Sequence, residues 1–220
     1  MKKFAIIVAG GQGIRMQGVL PKQFLPLNGE PVIAHTLRRF HHVDITLVLV
    51  MNANYIDYWK DLSSGLTDIP PHILVAGGES RAESVANGLA ALPEEGLVAI
   101  HDAVRPLCSP ALIDRLYTAG AQHDSAIPVI AVKDTLRLLN DQGSITVPRS
   151  QYRAVQTPQV FRLSLLKKAF THPDLASFTD EASLFEAAGH PVHLEEGEES
   201  NIKLTVPSDM LVAASILKGI

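Results

Sequence analysis

The chain has 220 residues, a length typical of one large domain or two small ones. Its 19 Lys and Arg against 23 Asp and Glu give a net charge of −4, which argues against a nucleic-acid or membrane-surface binder, since both classes carry a basic excess. The single cysteine, Cys108, excludes an intrachain disulfide and favours a reducing compartment. No apolar run approaches the roughly 18 residues of a membrane span, so we expect a cytoplasmic protein with no membrane partner.

Short apolar runs alternate with helical patterns over the first two thirds of the chain. The runs have the length of strands but lack the polar alternation of a half-exposed strand, so they are typical of strands buried on both faces of a parallel sheet. They cover Phe4–Ala9, Ile45–Met51, Ile73–Ala76, Leu97–Ile100 and Ala126–Val132.

Helical segments lie between these runs. Ser80 and Glu83 have the spacing of a capping box, and Ser109 before Pro110 has the order of an N-cap and a first-turn proline. The alternation predicts an α/β fold, with a Rossmann-like, mostly parallel sheet flanked by helices. The four predicted helices are Pro31–His41, Asn54–Leu62, Ser80–Leu92 and Ser109–Gln122.

The alternation stops near residue 133. Thr135–Leu139 and Ser144–Val147 flank a turn that contains Gly143, and this pattern predicts a β-hairpin. Because the hairpin lies outside the alternating scheme, we expect a protruding arm over residues 133–153. Proteins usually cover such exposed edges, and the pattern alone leaves open whether a second subunit or the same domain does so. Beyond the arm, we expect helices at Leu163–Thr171, Thr179–Ala188 and Pro207–Leu217 and strands at Val192–Glu195 and Ile202–Thr205.

A glycine-rich segment, Ala9–Met16, follows the first strand. Its glycines let the backbone approach a ligand closely and turn N–H groups toward anions. The chain has no P-loop string, and Met16 stands where a dinucleotide fingerprint needs a third glycine or alanine. Arg15 and Lys22 add two cations, and no acidic residue lies between Ala9 and Leu27. These features predict a polyphosphate site rather than a simple turn.

Six motifs that follow one another along the chain resemble a known family. They are the glycine loop with Pro21–Gln23, then His101–Pro106, Val132–Thr135, Gln156–Gln159, Phe178–Ser183 and Asn201–Thr205. Together they resemble the 2-C-methyl-D-erythritol 4-phosphate cytidylyltransferase family over nearly the whole chain. The resemblance implies a nucleotidyltransferase domain over residues 1–220, with CTP and a polyol phosphate as substrates and Mg²⁺ as cofactor. The products would be the CDP-linked polyol, 4-diphosphocytidyl-2-C-methyl-D-erythritol, and pyrophosphate.

The resemblance also implies a role for each matched residue. The catalytic cations would be Arg15, Lys22 and Lys203. The nucleotide would contact Ala9, Gly10, Gly11, Gly13, Gly78, Glu79, Ser84 and Asp102, and Asp102 would also hold the metal. The polyol phosphate would contact Arg105, Thr135, Arg149 and Thr157. Because the arm supplies Thr135 and Arg149 to the other subunit in this family, the resemblance implies a homodimer with composite active sites.

The residue types suit this chemistry. A phosphate monoester is largely ionised at pH 7, since its second pKa is about 6, and it can attack the α-phosphorus of CTP without a general base. The remaining difficulty is gathering anions and stabilising charge during in-line displacement, which preplaced cations and a metal can do. Asp102 follows a strand, at the edge where open α/β sheets bind ligands, and Arg105 lies three residues on.

Other functions stay open at this point. Ribitol-5-phosphate cytidylyltransferase shares the glycine loop, the segment from Asp102 to Arg105 and the Asn-Ile-Lys string, although the Val-Lys-Asp-Thr and Phe-Thr-Asp-Glu-Ala-Ser segments favour methylerythritol phosphate. An NAD-binding protein is disfavoured by Met16. A nucleotide sensor without catalysis is disfavoured because the four charged residues of the predicted site, Arg15, Lys22, Asp102 and Lys203, are all present.

Overall fold

A computed structural model describes residues 1–10, 20–42 and 44–219. Strands and helices alternate in its first part, and each of the strands and helices predicted there is present within a few residues. The elements are β1 (Lys3–Ala9), β2 (Pro26–Leu27), β3 (Glu30–Pro31), α1 (Val32–Arg39), β4 (Ile45–Met51), α2 (Ile56–Ser64), β5 (His72–Ala76), α3 (Arg81–Ala90), β6 (Leu97–Asp102), α4 (Pro110–His123) and β7 (Ser125–Ala131).

The second part differs from the prediction at two places. Ile202–Thr205 is irregular rather than a strand, and two short strands after the hairpin were missed because three or four residues carry too little pattern. The elements are β8 (Leu136–Asn140), β9 (Gly143–Val147), β10 (Arg153–Val155), β11 (Gln159–Arg162), α5 (Leu163–Ala169), α6 (Glu181–Ala187), β12 (Leu194–Glu196) and α7 (Pro207–Gly219).

The main sheet has the strand order β10-β7-β11-β6-β1-β4-β5, and β12 pairs with β7. Strands β6, β1, β4 and β5 are parallel to their neighbours in that order, whereas β11 runs antiparallel to both β6 and β7. The parallel strands bring their carboxyl ends to one edge of the sheet. The predicted Rossmann-like, mostly parallel α/β fold is therefore confirmed.

Both faces of the sheet are buried at its central strands β1, β4 and β6, which explains their unbroken apolar runs. The prediction fails for the run Ile73–Ala76, because β5 is an edge strand and has no buried residue. In β1, Ala5, Ile7 and Ala9 belong to one core cluster, whereas Ile6 and Val8 belong to another, because successive side chains point to opposite faces. The first cluster contains residues of α1, α2 and α4, and the second contains residues of α3, α5 and α6. Within the described residues, no helix is both long and apolar enough for a membrane span.

A smaller cluster joins the last helix to β2, α1 and the segment after β6. Leu204 is fully buried in it and packs with Leu27, Val32, Leu107 and Ala213 of α7. Burial of Leu204 fixes the backbone of the irregular segment that carries Lys203, so this cluster prepares the position of a predicted catalytic residue.

The predicted hairpin is present as a separate two-stranded sheet of β8 and β9. Gly143 occupies the turn with a φ of +128°, a conformation that favours glycine. Leu138, Leu139 and Ile145 on the hairpin are 55%, 79% and 52% exposed. Such exposed apolar side chains are unusual for a hairpin without a covering surface. The role of the arm in dimerisation stays a prediction.

Helix α3 packs against the sheet at Gly88. A Cβ atom at this position would lie 2.9 Å from the Cγ2 atoms of both Ile6 and Val50. We expect Gly88→Leu to lower the free energy of unfolding by about 1–3 kcal/mol, because the core is overpacked. Urea unfolding followed by circular dichroism measures this change. Ala90→Leu, at an exposed position of the same helix, is the control, and equal unfolding midpoints for the two variants would contradict the packing.

Candidate active site

A cavity of about 910 Å³ lies at the carboxyl ends of the parallel strands. Its lining includes the last residues of β1 and β6, Ala9 and Asp102, and residues that follow β1, β4 and β5, namely Gly10, Asn52 and Gly78. This is the edge at which open α/β sheets bind ligands. The cavity is therefore the candidate active site.

The cavity brings together most of the predicted site residues that the structure describes. Its lining includes Ala9, Gly10, Lys22, Gly78, Glu79, Ser84, Asp102 and Lys203. The predicted residues Gly11, Gly13 and Arg15 lie outside the described residues. Arg105 and Thr157 are buried, at 9% and 6% exposure, near Asp102. Thr135 and Arg149 lie at the arm, and Arg149 lines a separate cavity of about 500 Å³ together with Lys133 and Arg153.

The loop before α3 forms one wall of the cavity. Ser80 caps the helix by accepting from the Glu83 N–H, and Glu83 completes the predicted capping box. The Ser84 hydroxyl donates to the Ser80 carbonyl at 2.9 Å and accepts from the Gly78 N–H at 3.2 Å. A Cβ on Gly77 would lie 2.8 Å from this hydroxyl oxygen, so the close approach requires glycine. Ser84 thus fixes the loop, and its predicted contact with the nucleotide stays a prediction.

Asp102 is the centre of charge in the cavity. Its side chain is 10% exposed, and Lys203 Nζ lies 2.8 Å from its Oδ2 atom. Arg81 Nε lies 3.5 Å from Oδ1, and Arg105 Nε lies 3.8 Å from Oδ2. Burial alone would raise the pKa of Asp102, but Arg81, Lys203 and Arg105 outweigh it and lower that pKa to about 2. Asp102 is therefore a carboxylate at neutral pH.

Contacts on both sides hold the segment that carries Lys203. The Leu204 N–H donates to the Val104 carbonyl at 2.9 Å. Before Lys203, Arg105 Nη1 donates to the Asn201 carbonyl at 2.8 Å, and the Asn201 side chain is fully buried. A lysine from the end of the chain therefore reaches Asp102 without regular secondary structure around it. The prediction of a strand here was wrong because these contacts, rather than a ladder of backbone hydrogen bonds, define the segment.

Lys22 approaches the same place from the start of the chain. It begins a 3₁₀ turn, Lys22–Phe24, in which Gln23 donates to the Ala9 carbonyl at 2.7 Å and Phe24 is buried. Lys22 Nζ donates to the carbonyl oxygen of Leu204 at 3.2 Å. The turn therefore joins the end of β1 to the Lys203 segment and brings both predicted catalytic lysines to the cavity.

A chain of buried hydrogen bonds through His101 and Thr157 supports the backbone of Asp102. His101 Nε2 lies 3.0 Å from the Arg105 carbonyl, so this nitrogen carries the proton and Nδ1 accepts from the Thr157 hydroxyl at 3.1 Å. The Thr157 hydroxyl in turn accepts from the Asp102 N–H at 3.1 Å. Burial lowers the pKa of His101 to about 4, so the ring is neutral at pH 7. Thr157 and Arg105 thus support the site, while their predicted contacts with substrate stay predictions.

Sequence reasoning assigned no role to Arg81. Its side chain lines the cavity and lies beside Asp102. Burial alone would lower the pKa of Arg81, but the carboxylates of Glu181 and Asp102 outweigh it and raise that pKa. The sequence signal that could have identified Arg81 as a site residue is its position in the first turn of α3, directly after the loop at the carboxyl end of β5. Its partner Glu181 lies 100 residues later, and sequence spacing could not connect the two.

The fit of a magnesium ion depends on Asp102. Among the described residues, no cluster of three or more His, Cys, Asp or Glu side chains could hold a metal without substrate. Mg²⁺ in phosphate-transferring enzymes is usually bound by one or two carboxylates together with substrate phosphates. An ionised Asp102 at the cavity wall fits this mode, so the residues present are compatible with a metal that arrives with CTP.

Comparison with known proteins decides the family. The family model for 2-C-methyl-D-erythritol 4-phosphate cytidylyltransferase matches residues 4–219. The chain belongs to the 2-C-methyl-D-erythritol 4-phosphate cytidylyltransferase family. Membership makes it an enzyme that transfers the cytidylyl group of CTP to 2-C-methyl-D-erythritol 4-phosphate in the non-mevalonate isoprenoid pathway. This prediction is confirmed, and nothing in the comparisons supports ribitol phosphate or NAD as a substrate.

Individual relatives agree with the family model. The chain is 47% identical to the 2-C-methyl-D-erythritol 4-phosphate cytidylyltransferase of Bacteroides thetaiotaomicron, covering 99% of this chain and 100% of the relative. It is similar to the crystal structure of 4-diphosphocytidyl-2C-methyl-D-erythritol synthase from Anaerococcus prevotii, with a TM-score of 0.84, 30% identity and coverage of 98% and 96%. The Thermus thermophilus cytidylyltransferase structure gives a TM-score of 0.77 and 32% identity, covering 98% of each chain.

The buried His101 makes folding stability depend on pH. Its pKa is about 4 in the folded protein and about 6.5 when unfolded, so the unfolded chain binds the proton first as the pH falls. We therefore expect no pH dependence from His101 well above pH 6.5. As the pH falls from 7 to 5, we expect His101 to lower the free energy of unfolding by about 2 kcal/mol.

The variant His101→Gln should lose this part of the pH dependence. Urea unfolding at pH 7 and pH 5 gives the change for each protein, and the difference between the two changes isolates His101 from the other histidines. Equal pH dependence in both proteins would show that His101 is protonated in the folded state as readily as in the unfolded one.

Proposed function

We propose that the cavity binds CTP and methylerythritol phosphate side by side, and that Lys22 and Lys203 are the catalytic cations of the transfer. The observation that carries this proposal is the meeting of two lysines from opposite ends of the chain at one cavity wall. Lys203 is paired with the buried Asp102, and Lys22 donates to the backbone of the next residue, Leu204. Such preplaced cations suit a reaction in which negative charge must be gathered and stabilised.

The reaction needs no proton transfer to begin. An ionised phosphate oxygen of the polyol phosphate attacks the α-phosphorus of CTP and forms a new P–O bond, while the bond to the bridging oxygen of the β-phosphate breaks in line. Pyrophosphate leaves with the electron pair of that bond. Lys22 and Lys203 stabilise the charge that develops on the phosphoryl and leaving oxygens, and Asp102 keeps Lys203 in place.

The nucleotide occupies the wall between Gly10 and α3. Gly10, Gly78 and Glu79 lie along this wall, where Ser84 holds the loop in shape. The family resemblance adds Gly11, Gly13 and Arg15 to the same group. Mg²⁺, held by Asp102 and substrate phosphates, would neutralise phosphate charge and make the α-phosphorus more electrophilic.

We also propose that the protein is a homodimer. The arm exposes Leu138, Leu139 and Ile145, and the cationic cavity beside it has Lys133, Arg149 and Arg153 in its lining. Both features support a homodimer. A second copy would cover the apolar residues, and Thr135 and Arg149 of one copy would contact the polyol phosphate bound by the other. We propose further that residues 1–220 form one nucleotidyltransferase domain and that the protein is located in the cytoplasm.

Removal of either catalytic lysine tests the reaction. We expect Lys22→Ala and Lys203→Ala to lower kcat by about 10²- to 10³-fold, because each removes a charge that stabilises the transition state. Pyrophosphate release with CTP and methylerythritol phosphate measures turnover, with ribitol 5-phosphate as the alternative substrate. Lys60→Ala, at an exposed lysine on α2, is the control. Near-normal turnover of Lys203→Ala would refute its assigned role.

Mixed dimers test the composite site. A subunit with Lys203→Ala and a subunit with Arg149→Ala form one active site that carries both changes and one that carries neither. After subunit exchange, we expect recovery of about a quarter of the original activity, because half of the dimers are mixed and each has one intact site. Sedimentation measures the dimer itself.

The matched control mixes Lys22→Ala with Lys203→Ala. Both changes then lie in the same cavity wall, so each mixed dimer keeps a defect in both of its sites and activity should not return. Recovery in this control, or no recovery with Arg149→Ala, would contradict the supply of Arg149 by the other subunit.

A further inference from the structure

A partly buried ion pair joins the cavity wall to α6 and has no role in the reaction as described above. Arg81 is the first residue of α3, and Glu181 is the first residue of α6. Arg81 Nη1 and Nη2 donate to the two carboxylate oxygens of Glu181 at 2.6 and 3.0 Å. The Glu181 side chain is 3% exposed, whereas Arg81 is 33% exposed and lines the cavity. The pair therefore connects the cavity with a carboxylate outside it.

Arg81 is shared between two carboxylates. Its two terminal nitrogens face Glu181, and only Nε remains for Asp102, at 3.5 Å. The other oxygen of Asp102 contacts Lys203 Nζ at 2.8 Å, with Arg105 Nε farther away at 3.8 Å. A guanidinium group binds a carboxylate most strongly through two parallel hydrogen bonds. Without Glu181, the strongest arrangement available to Arg81 would be a two-bond contact with Asp102, in competition with Lys203.

The first turn of α6 is built to hold Glu181 in place. Gln159 of β11 is buried, and its side chain donates to Asp180 at 2.8 Å and accepts from the Ala182 N–H at 3.1 Å. Asp180 also caps the helix by accepting from the Ser183 N–H. The residues on both sides of Glu181 are thus anchored to the sheet. Buried ion pairs contribute little to stability on balance, so this degree of anchoring indicates a role in geometry.

We propose that Glu181 is a positioning residue for cytidylyl transfer, which holds the terminal nitrogens of Arg81 away from Asp102 so that Asp102 directs Lys203 into the cavity. Arg81 itself then presents a fixed positive charge at the wall where the nucleotide is proposed to bind. The inference rests on the proposed function, because it presumes the roles of Asp102 and Lys203. It explains why the Phe-Thr-Asp-Glu-Ala-Ser segment lies outside the cavity lining and yet contacts the site.

Glu181→Gln tests the proposal without a large change of shape. Arg81 keeps its charge but loses one of its two acceptors and the opposing charge, which favours a turn of its guanidinium toward Asp102. We therefore expect turnover to fall by about 10- to 100-fold through misplacement of Lys203. CTP binding, measured by calorimetry without polyol phosphate, should stay the same or become tighter, since one negative charge near the cavity is lost. A purely structural role would weaken CTP binding and turnover together. Glu186→Gln, at an exposed position of α6, is the control.

The second variant adds Arg81→Met to Glu181→Gln. Removal of the competing fork should return Asp102 to Lys203 and raise turnover above that of Glu181→Gln, while CTP binds more weakly because the charge of Arg81 is gone. This double variant carries no unpaired charge, and thermal unfolding checks that it folds. If Glu181→Gln alone does not fold, the double variant becomes the test. We then expect the turnover of the double variant to be close to that of the original protein.

Two outcomes would overturn the inference. The first is turnover of Glu181→Gln equal to that of the original protein, and the second is a double variant no faster than the single one. Lys203→Ala in the same assay tests the proposed function separately. Loss of turnover in Lys203→Ala together with normal turnover in Glu181→Gln would remove the role of Glu181 and leave the proposed function intact.

Discussion

The ion pair between Asp102 and Lys203 is the contact on which the organisation of the site depends. One partner lies at the carboxyl end of a central strand and the other on an irregular segment near the end of the chain. The sheet fixes Asp102, while burial of Leu204 and the Leu204–Val104 hydrogen bond fix Lys203. A paired lysine is restricted in direction, so a contact that contributes little to stability gives the cavity a cation in a defined position.

The charge of the whole chain conceals the charge of this cavity. Eight acidic residues and no Lys or Arg occur between residues 174 and 199, which accounts for the net negative charge. Within that segment, Glu181 pairs with Arg81, and Glu198 accepts from Ser109 at the start of α4. These acids thus serve ion pairing and helix capping as well as solvation. The cavity wall, with Lys22, Arg81 and Lys203, suits two anionic substrates.

Local patterns predicted most of the fold because they reflect local physics. The run in β1 is apolar throughout because its side chains enter a core on each face, and the Ser80–Glu83 box starts α3 where the spacing indicated. Strands β10 and β11 could not be predicted, since their few residues pair with β7 and β6 through contacts that only the tertiary fold provides. The irregular segment around Lys203 escaped prediction for the same reason.

The same distinction applies within the site. Asp102, Lys22 and Lys203, which the motifs predicted as site residues, line one cavity, and only Asp102 stands at the end of a parallel strand. Their roles toward substrate stay predictions. Motif position did not reveal that the Thr157 hydroxyl is engaged by His101 and the Asp102 N–H. A motif identifies where a residue lies in the chain, whereas its neighbours decide which of its atoms face a ligand. His101 and Thr157 therefore support Asp102 from the protein interior, whereas Lys22, Arg81 and Lys203 line the cavity and are the cations that can contact phosphate.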